Sequence, residues 1–166
     1  MKIAIISDSH DNVPNIEKFL DWANKNKIEM IIHCGDIAAP GVVKKLLAEK
    51  FKGGMHLVHG NVSDRESLES ICGNLDNVTL HGDIGELEID GIKVGFCHRP
   101  DEADELVATG KYNIVFYGHT HKPWIDTVDN VSVVNPGTLG GLFQKATFAV
   151  YTTEDKDIKL FVLEQL

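Results

Sequence analysis

KIAIISDSH, residues 2–10, starts apolar and ends on chemistry. Lys2–Ser7 has the length of a strand, and its apolar residues are continuous rather than alternating. That is the pattern of a strand in a sheet covered on both faces. Asp8 and His10 follow just past the strand's carboxyl end. In open α/β sheets, ligands collect outside the carboxyl ends of strands. The fold and its use therefore turn on whether later strands repeat this ending.

Working outward, the pattern repeats. Pro14 suits a first helical turn, and Val13, Ile16, Phe19, Leu20 and Ala23 recur at helical spacing as a buried stripe. Met30–His33 is the next short buried strand. Val42, Val43, Leu46 and Leu47 mark a second helix closed near Gly53-Gly54, and Met55–Val58 is a third strand. Strand and helix alternate, which predicts a parallel sheet with right-handed crossovers. Ser63-Asp64-Arg65-Glu66 fits a capping box, with Asp64 as first helical residue of a helix running toward Cys72.

The second half is richer in strands. Asp90-Gly91 joins Gly85–Ile89 to Ile92–Cys97, and Asp129-Asn130 joins Trp124–Val128 to Val131–Val134, both hairpin signals. Between them lie a short helix through Leu106 and Val107, ended by Gly110, and a strand over Ile114–Tyr117. Ala146–Thr152 and Ile158–Leu163 make a last hairpin. With no repeat, low-complexity stretch or linker, residues 1–166 are read as one domain. The expected architecture is α/β, a four-layer αββα sandwich of two mixed β-sheets flanked by helices.

Composition narrows the function. The chain has 16 basic and 25 acidic residues, a net charge of −9. No surplus of Lys and Arg exists to neutralise a polyphosphate backbone, so bulk nucleic-acid or acidic-membrane binding is not expected. A small phosphate ester at a local positive centre is compatible with that charge. No apolar run approaches the ~18 residues of a membrane span, and the amino terminus reads as a strand rather than a signal peptide. Cys34, Cys72 and Cys97 are odd in number and lack C-x-x-C spacing, as expected of reduced, buried thiols in a cytoplasmic protein.

Five strand ends now line up: Asp8-Ser9-His10, Gly35-Asp36, Gly60-Asn61, His98, and Gly118-His119-Thr120-His121. Singly, each is an ordinary turn or cap. Together they deliver Asp8, His10, Asp36, Asn61, His98, His119 and His121 to one edge. Carboxylate and amide oxygens with imidazole nitrogens suit Mn, Fe, Ni, Zn or Co. Seven ligands are too many for one ion and fit two. Two ions ~3.5–4 Å apart would clamp an in-line attack on phosphorus. Asp36 is the natural bridging oxygen, and neutral Asn61 leaves net positive charge for phosphate. The three glycines are expected to let the backbone turn sharply.

D-x-H, GD, GN, H and GHTH in this order resemble the calcineurin-like metallophosphoesterase family. The small size and Asn135-Pro136-Gly137 resemble its compact YfcE-like phosphodiesterase branch. The resemblance implies a cytoplasmic phosphodiesterase with two divalent transition-metal ions, manganese foremost, acting on a small phosphate ester. One ion would be held by Asp8, His10, Asp36 and His121, the other by Asp36, Asn61, His98 and His119. Hydroxide bridging the ions would attack phosphorus, which makes Asp36, Asn61 and His98 catalytic positions. A phosphomonoesterase or a nucleotide pyrophosphohydrolase is the alternative activity. A non-catalytic scaffold like the related retromer subunit is the alternative class.

Two departures from the family pattern matter. Where many relatives carry G-N-H-[DE], this chain reads Gly60-Asn61-Val62-Ser63-Asp64, and Val62 cannot donate a proton. Asp64 is read first as a structural residue of the capping box, with a supporting acid role as the alternative. Protonation of the leaving group by water would favour acidic leaving groups. The usual HG is His98-Arg99; the planar fork of Arg99 suits a phosphate oxygen, with an exposed Arg before a helix as the alternative. His33 and His59 lie near the site and are candidates to hydrogen-bond the ligands, with satisfied, partly buried histidines as the equal alternative, whereas His56 and His81 carry no motif. Trp124 and Phe143 are expected in core or interface packing, with base stacking as the alternative. A homo-oligomer through a late edge strand is open.

Overall fold

The computed structural model describes residues 1–166. Its elements run β1 (Lys2–Ile6), α1 (Val13–Lys25), β2 (Met30–His33), α2 (Pro40–Val42, continued as π-helix over Val43–Ala48), β3 (Gly54–Leu57), α3 (Arg65–Cys72) and β4 (Val78–Leu80). There follow β5 (Ile84–Ile89), β6 (Ile92–Cys97), α4 (Pro100–Ala108), β7 (Ile114–Phe116), β8 (Trp124–Val128), β9 (Val131–Asn135), β10 (Thr147–Thr152) and β11 (Asp157–Val162). One sheet has the order β11-β10-β1-β2-β3-β4, the other β5-β6-β7-β9-β8. Both are mixed. β1–β4 pair in parallel while β10 is antiparallel to β1. In the second sheet β6, β7 and β9 run parallel between antiparallel partners. No helix is long and apolar enough to cross a membrane.

The continuous apolar run of β1 has a two-sided use. Ala4 and Ile6 pack toward the helices with Ile31, Leu57, Phe19 and Leu46. Ile3 and Ile5 pack between the sheets with Ile32, Phe96, Phe116 and Val134. Side chains alternate across a strand, so only a strand buried on both faces needs apolar residues at every position. The outer layer of the second sheet is α4, whose Ala103, Leu106 and Val107 cover Val115 and Val131. The layers are therefore helix, sheet, sheet, helix, as expected.

Most element ends agree with the sequence to within a residue or two, and the exceptions have physical reasons. Val13 is exposed rather than part of the α1 stripe, because it is the first helical residue and lies beyond the core. Ser63 does not cap α3. Asp64 is the N-cap instead, accepting from Ser67 N at 3.2 Å, while Ser63 Oγ accepts from Gly60 N at 3.2 Å. β4 is three residues long and too short to announce itself by pattern. Trp124 and Phe143 are not core residues: they are 59% and 97% exposed. At both hairpins the two turn residues have positive φ, as a two-residue turn matched to strand twist requires.

Candidate metal centre

β1, β2 and β3 of one sheet and β6 and β7 of the other end at the same edge of the sandwich. Backbone bonds tie these ends together. Asp8 N donates to Gly35 O at 3.0 Å and His10 N to Asp36 O at 3.2 Å. Gly118 N donates to His98 O at 3.0 Å, linking the second sheet's two endings. His119 N donates to Asp8 Oδ2 at 3.0 Å, linking the sheets.

The chain bends hard to present these side chains. Asp8, His10, Asp36, His119 and His121 all have φ between 42° and 66°. Non-glycine residues rarely occupy this left-handed region, and such strain gathers where function over-determines the backbone. Two glycines contribute by close approach, not by the sharp turn expected of them. A Cβ on Gly60 would sit 2.0 Å from Asp36 Oδ1, and one on Gly118 would sit 1.9 Å from Ser7 Oγ. Gly35, with φ of 96°, does make the turn.

The seven candidate ligands form two adjoining groups. In the first, His121 Nε2 lies 3.2 Å from Asp8 Oδ1 and 3.2 Å from His10 Nε2. His10 Nε2 is 3.8 Å from Asp36 Oδ2. In the second, Asn61 Oδ1 lies 2.9 Å from both His98 Nε2 and His119 Nδ1. His98 Nε2 is 3.4 Å from Asp36 Oδ1. Asp36 thus turns one oxygen to each group. Asp8 also reaches the second, since ligand atoms of Asp8, Asp36 and His98 all lie within 4.8 Å of one another.

The donor inventory of this cluster suits cations. His98 Nδ1 faces Cys34 O at 2.8 Å. A carbonyl only accepts, so Nδ1 carries a proton, and in the neutral ring Nε2 is the nitrogen left to present a lone pair to the cluster. His121 Nδ1 faces Leu142 O at 3.3 Å, which gives the same tautomer and the same bare Nε2. Asp8 Oδ1 is buried without a hydrogen-bond partner. Lone pairs thus converge with too few protons between them, and a buried acceptor left this way costs ~1–3 kcal/mol. Divalent ions bonded to these atoms would remove that cost, so the residues fit the ions that the motif order implies.

Burial is the largest influence on Asp8 and pushes its carboxyl above the usual carboxylate range, against the lowering effects of the Ser7 hydroxyl and of His98 and His121. Ser7 Oγ donates to Asp8 Oδ2 at 2.6 Å. His33 is fully buried, and burial pushes it down to about 3, so it is neutral. Its Nε2 meets Ser9 Oγ at 3.0 Å, inside the loop that carries Asp8 and His10. His56 and His81 bond each other at 2.9 Å, away from the cluster.

Two tentative positions stand outside the cluster. Asp64 is used as the cap of α3. Arg99 is the N-cap of α4, half exposed, with Nε 3.1 Å from Asp101 Oδ1. Three supporting side chains had no place in the site assigned from the sequence. Ser7 orients Asp8. Thr138 Oγ1 donates to Asp8 O at 2.8 Å. Asn135 Nδ2 donates to Gly118 O at 2.8 Å and Thr120 Oγ1 at 3.1 Å, fixing the H-T-H turn. Only Asn135 had a local signal, the Asn-Pro-Gly turn after β9.

The family model for the calcineurin-like phosphoesterase superfamily domain matches residues 1–156. Phosphodiesterase MJ0936 of Methanocaldococcus jannaschii is 33% identical over 168 residues, covering 99% of this chain and all of that protein. A solved structure of an archaeal phosphodiesterase superposes with a TM-score of 0.85 at 32% identity, over 98% of this chain and 99% of that one. YfcE, a phosphoesterase from E. coli, is alike in fold, with a TM-score of 0.68 at 16% identity over 98% of this chain and all of its own.

Proposed function

The chain belongs to the calcineurin-like phosphoesterase superfamily and is a metallophosphoesterase, and from that membership we propose that it hydrolyses phosphodiesters at a pair of divalent metal ions. Residues 1–166 act as one domain in this reading. Asp8, His10, Asp36 and His121 hold one ion, and Asp36, Asn61, His98 and His119 hold the other. Manganese is the first ion to test, with Ni, Fe, Zn and Co after it. Diester activity rests on likeness to the phosphodiesterase MJ0936 across essentially the whole chain. The two-ion reading rests on one observation above all: Asp36 turns its two oxygens to two separate groups of imidazole nitrogens.

When bound, the ions supply positive charge to the phosphate oxygens and acidify water so that hydroxide is available to attack phosphorus near neutral pH. The chain's own groups do the rest. Asp36 holds the two halves of the site in register. Cys34 O keeps the proton on His98 Nδ1, so Nε2 stays a ligand rather than a general acid. The Asn61 oxygen adds no negative charge, which leaves the centre attractive to an anion. Val62 N donates to Asp36 Oδ1 at 3.2 Å, but its side chain carries no proton for a leaving group. Arg99 has guanidinium nitrogens beyond Nε available for a non-bridging oxygen. The buried, unpaired Cys34, Cys72 and Cys97 suit a reducing compartment such as the cytoplasm.

The test is a screen of mono-, di- and cyclic phosphate esters with protein loaded in turn with Mn, Ni, Fe, Co and Zn. Bis-p-nitrophenyl phosphate should be hydrolysed, and Asp36→Ala should abolish it. Turnover of monoesters alone would replace the diester reading. Inactivity with every ion would favour a scaffold of the same fold.

A further inference from the structure

Of the 16 basic residues of this chain only two are arginine, Arg65 and Arg99. They are 34 positions apart in sequence, on helices packed against different sheets. Yet both line one cleft of about 150 Å³ that opens directly from Asn61 and His98. The cleft has no hydrophobic lining residue, which sets it apart from an ordinary apolar ligand pocket. Arg65 is the first residue of α3, and Arg99 is the N-cap of α4, so two helix N-termini also face it. His59, with 1% of its side chain exposed, lines the cleft too, and its Nε2 lies 3.5 Å from Glu69 Oε1 behind it.

Lysine serves the other 14 basic positions as a surface charge. Arginine differs because its planar fork gives paired hydrogen bonds to phosphate or carboxylate. The two forks are held in place but not used up. Arg65 Nη2 bonds Asp83, and Arg99 Nε bonds Asp101. Asp83 and Glu102 also line the cleft, so the formal charges of its two arginines and two carboxylates cancel. It is therefore no general sink for anions. An occupant gains there by matching the free edges of the guanidiniums.

We infer that this cleft is a subsite for a second phosphoryl group, and that the preferred substrate is a phosphodiester bearing another phosphate on one of its ester arms. The inference rests on the phosphodiesterase reading above and adds the substrate class. Arg65 is its specificity-determining residue. Arg99, nearer the metal ligands in sequence, contributes the second fork.

The test compares two chromogenic diesters with the metal-loaded protein. One is the p-nitrophenyl ester of thymidine 5′-phosphate. The other is the same compound with a 3′-phosphate added. In each, water adds to phosphorus and p-nitrophenolate leaves. Wild type should prefer the 3′-phosphorylated ester in kcat/KM by on the order of ten- to a hundredfold, the range for hydrogen bonds to a charged group. Arg65→Ala should bring that ratio close to one, Arg65→Lys should leave it intermediate, and Asp83→Asn should not lower it. A purely structural role of the Arg65–Asp83 pair would slow both esters alike and keep the ratio. Equal rates on the two esters with wild type, or a ratio that survives Arg65→Ala, overturn the subsite and leave the phosphodiesterase reading standing. No hydrolysis of either ester or of bis-p-nitrophenyl phosphate overturns both.

Discussion

Gly60→Ala is the sharpest single test of how the neighbouring ends of β2 and β3 seat Asp36. A methyl at Gly60 would meet Asp36 Oδ1 at 2.0 Å, Asp36 N at 2.3 Å and Asp36 Cγ at 2.8 Å. Comfortable contact begins near about 3.5 Å, so roughly 1.5 Å must be found. Rotation of the carboxylate cannot supply it, because a backbone atom is also in the way. Overpacking of this kind costs about 1–3 kcal/mol, and the backbone clash puts Gly60→Ala at the upper end. In a chain of this length, ~3 kcal/mol lowers Tm by roughly 6–12 °C. Metal loading should fall more than the 10–100-fold typical of mutating a group that merely supports a ligand, since here a candidate ligand itself is displaced. Gly54→Ala is the control. It lies on the same strand side of the fold, has nothing within 4 Å of its added methyl and no positive φ, so it should be neutral or stabilise by up to ~1 kcal/mol. The assays are thermal unfolding and metal content by mass spectrometry after equilibration with limiting Mn. If Gly60→Ala matches Gly54→Ala in both, Asp36 is not seated against this backbone and the bridging argument is wrong.

Other expectations follow from the same geometry. His121→Ala and His119→Ala should each deplete a different ion, seen as one high-affinity and one weakened site in titration calorimetry; identical profiles for the two variants would contradict the assignment. Without a side-chain acid at Val62, hydrolysis should depend steeply on leaving-group acidity, so p-nitrophenyl diesters should outpace alkyl diesters by orders of magnitude, and equal rates with chemistry limiting would argue for a hidden acid. Burial, with His81 beside it, pushes His56 down to about 4, whereas the unfolded chain titrates near about 6.5. Between those values the unfolded state holds the extra proton, so this contribution to stability is complete above pH ~6.5 and is lost as pH falls toward 4. His56→Gln should flatten the fall of Tm over that window relative to wild type, and an unchanged slope would refute the assignment.

Much was legible in the chain itself because burial writes a period into sequence. β1 could be read from a six-residue run, since a strand covered on both faces needs apolar side chains at every position. The two hairpins could be read from Asp90-Gly91 and Asp129-Asn130, whose types suit positive φ at both turn residues. The order of five short motifs behind five strands pointed to the edge where the candidate ligands meet, without any distance. Where the reading slipped, the cause was local. Ser63 and Asp64 are both good caps, and only the path of the chain from Gly60 decides which one closes α3. For Trp124 and Phe143 exposure removes the core half of a core-or-interface expectation, because type carries no information on which side of β8 or of a surface loop faces water.

What sequence alone determined, then, is which residues arrive at the edge and in what order, because strand polarity and periodicity are properties of neighbours in the chain. How those residues are shared is a matter of contacts between segments far apart in it. His121 joins His10 across 111 positions, and His119 joins Asn61 across 58. The proton on His98 Nδ1 is set by the carbonyl of Cys34, 64 residues away. The meeting of the only two arginines in one polar cleft depends on the packing of two sheets. Hydrogen bonds and tautomers are decided at about 3 Å, and only the folded chain brings such partners that close.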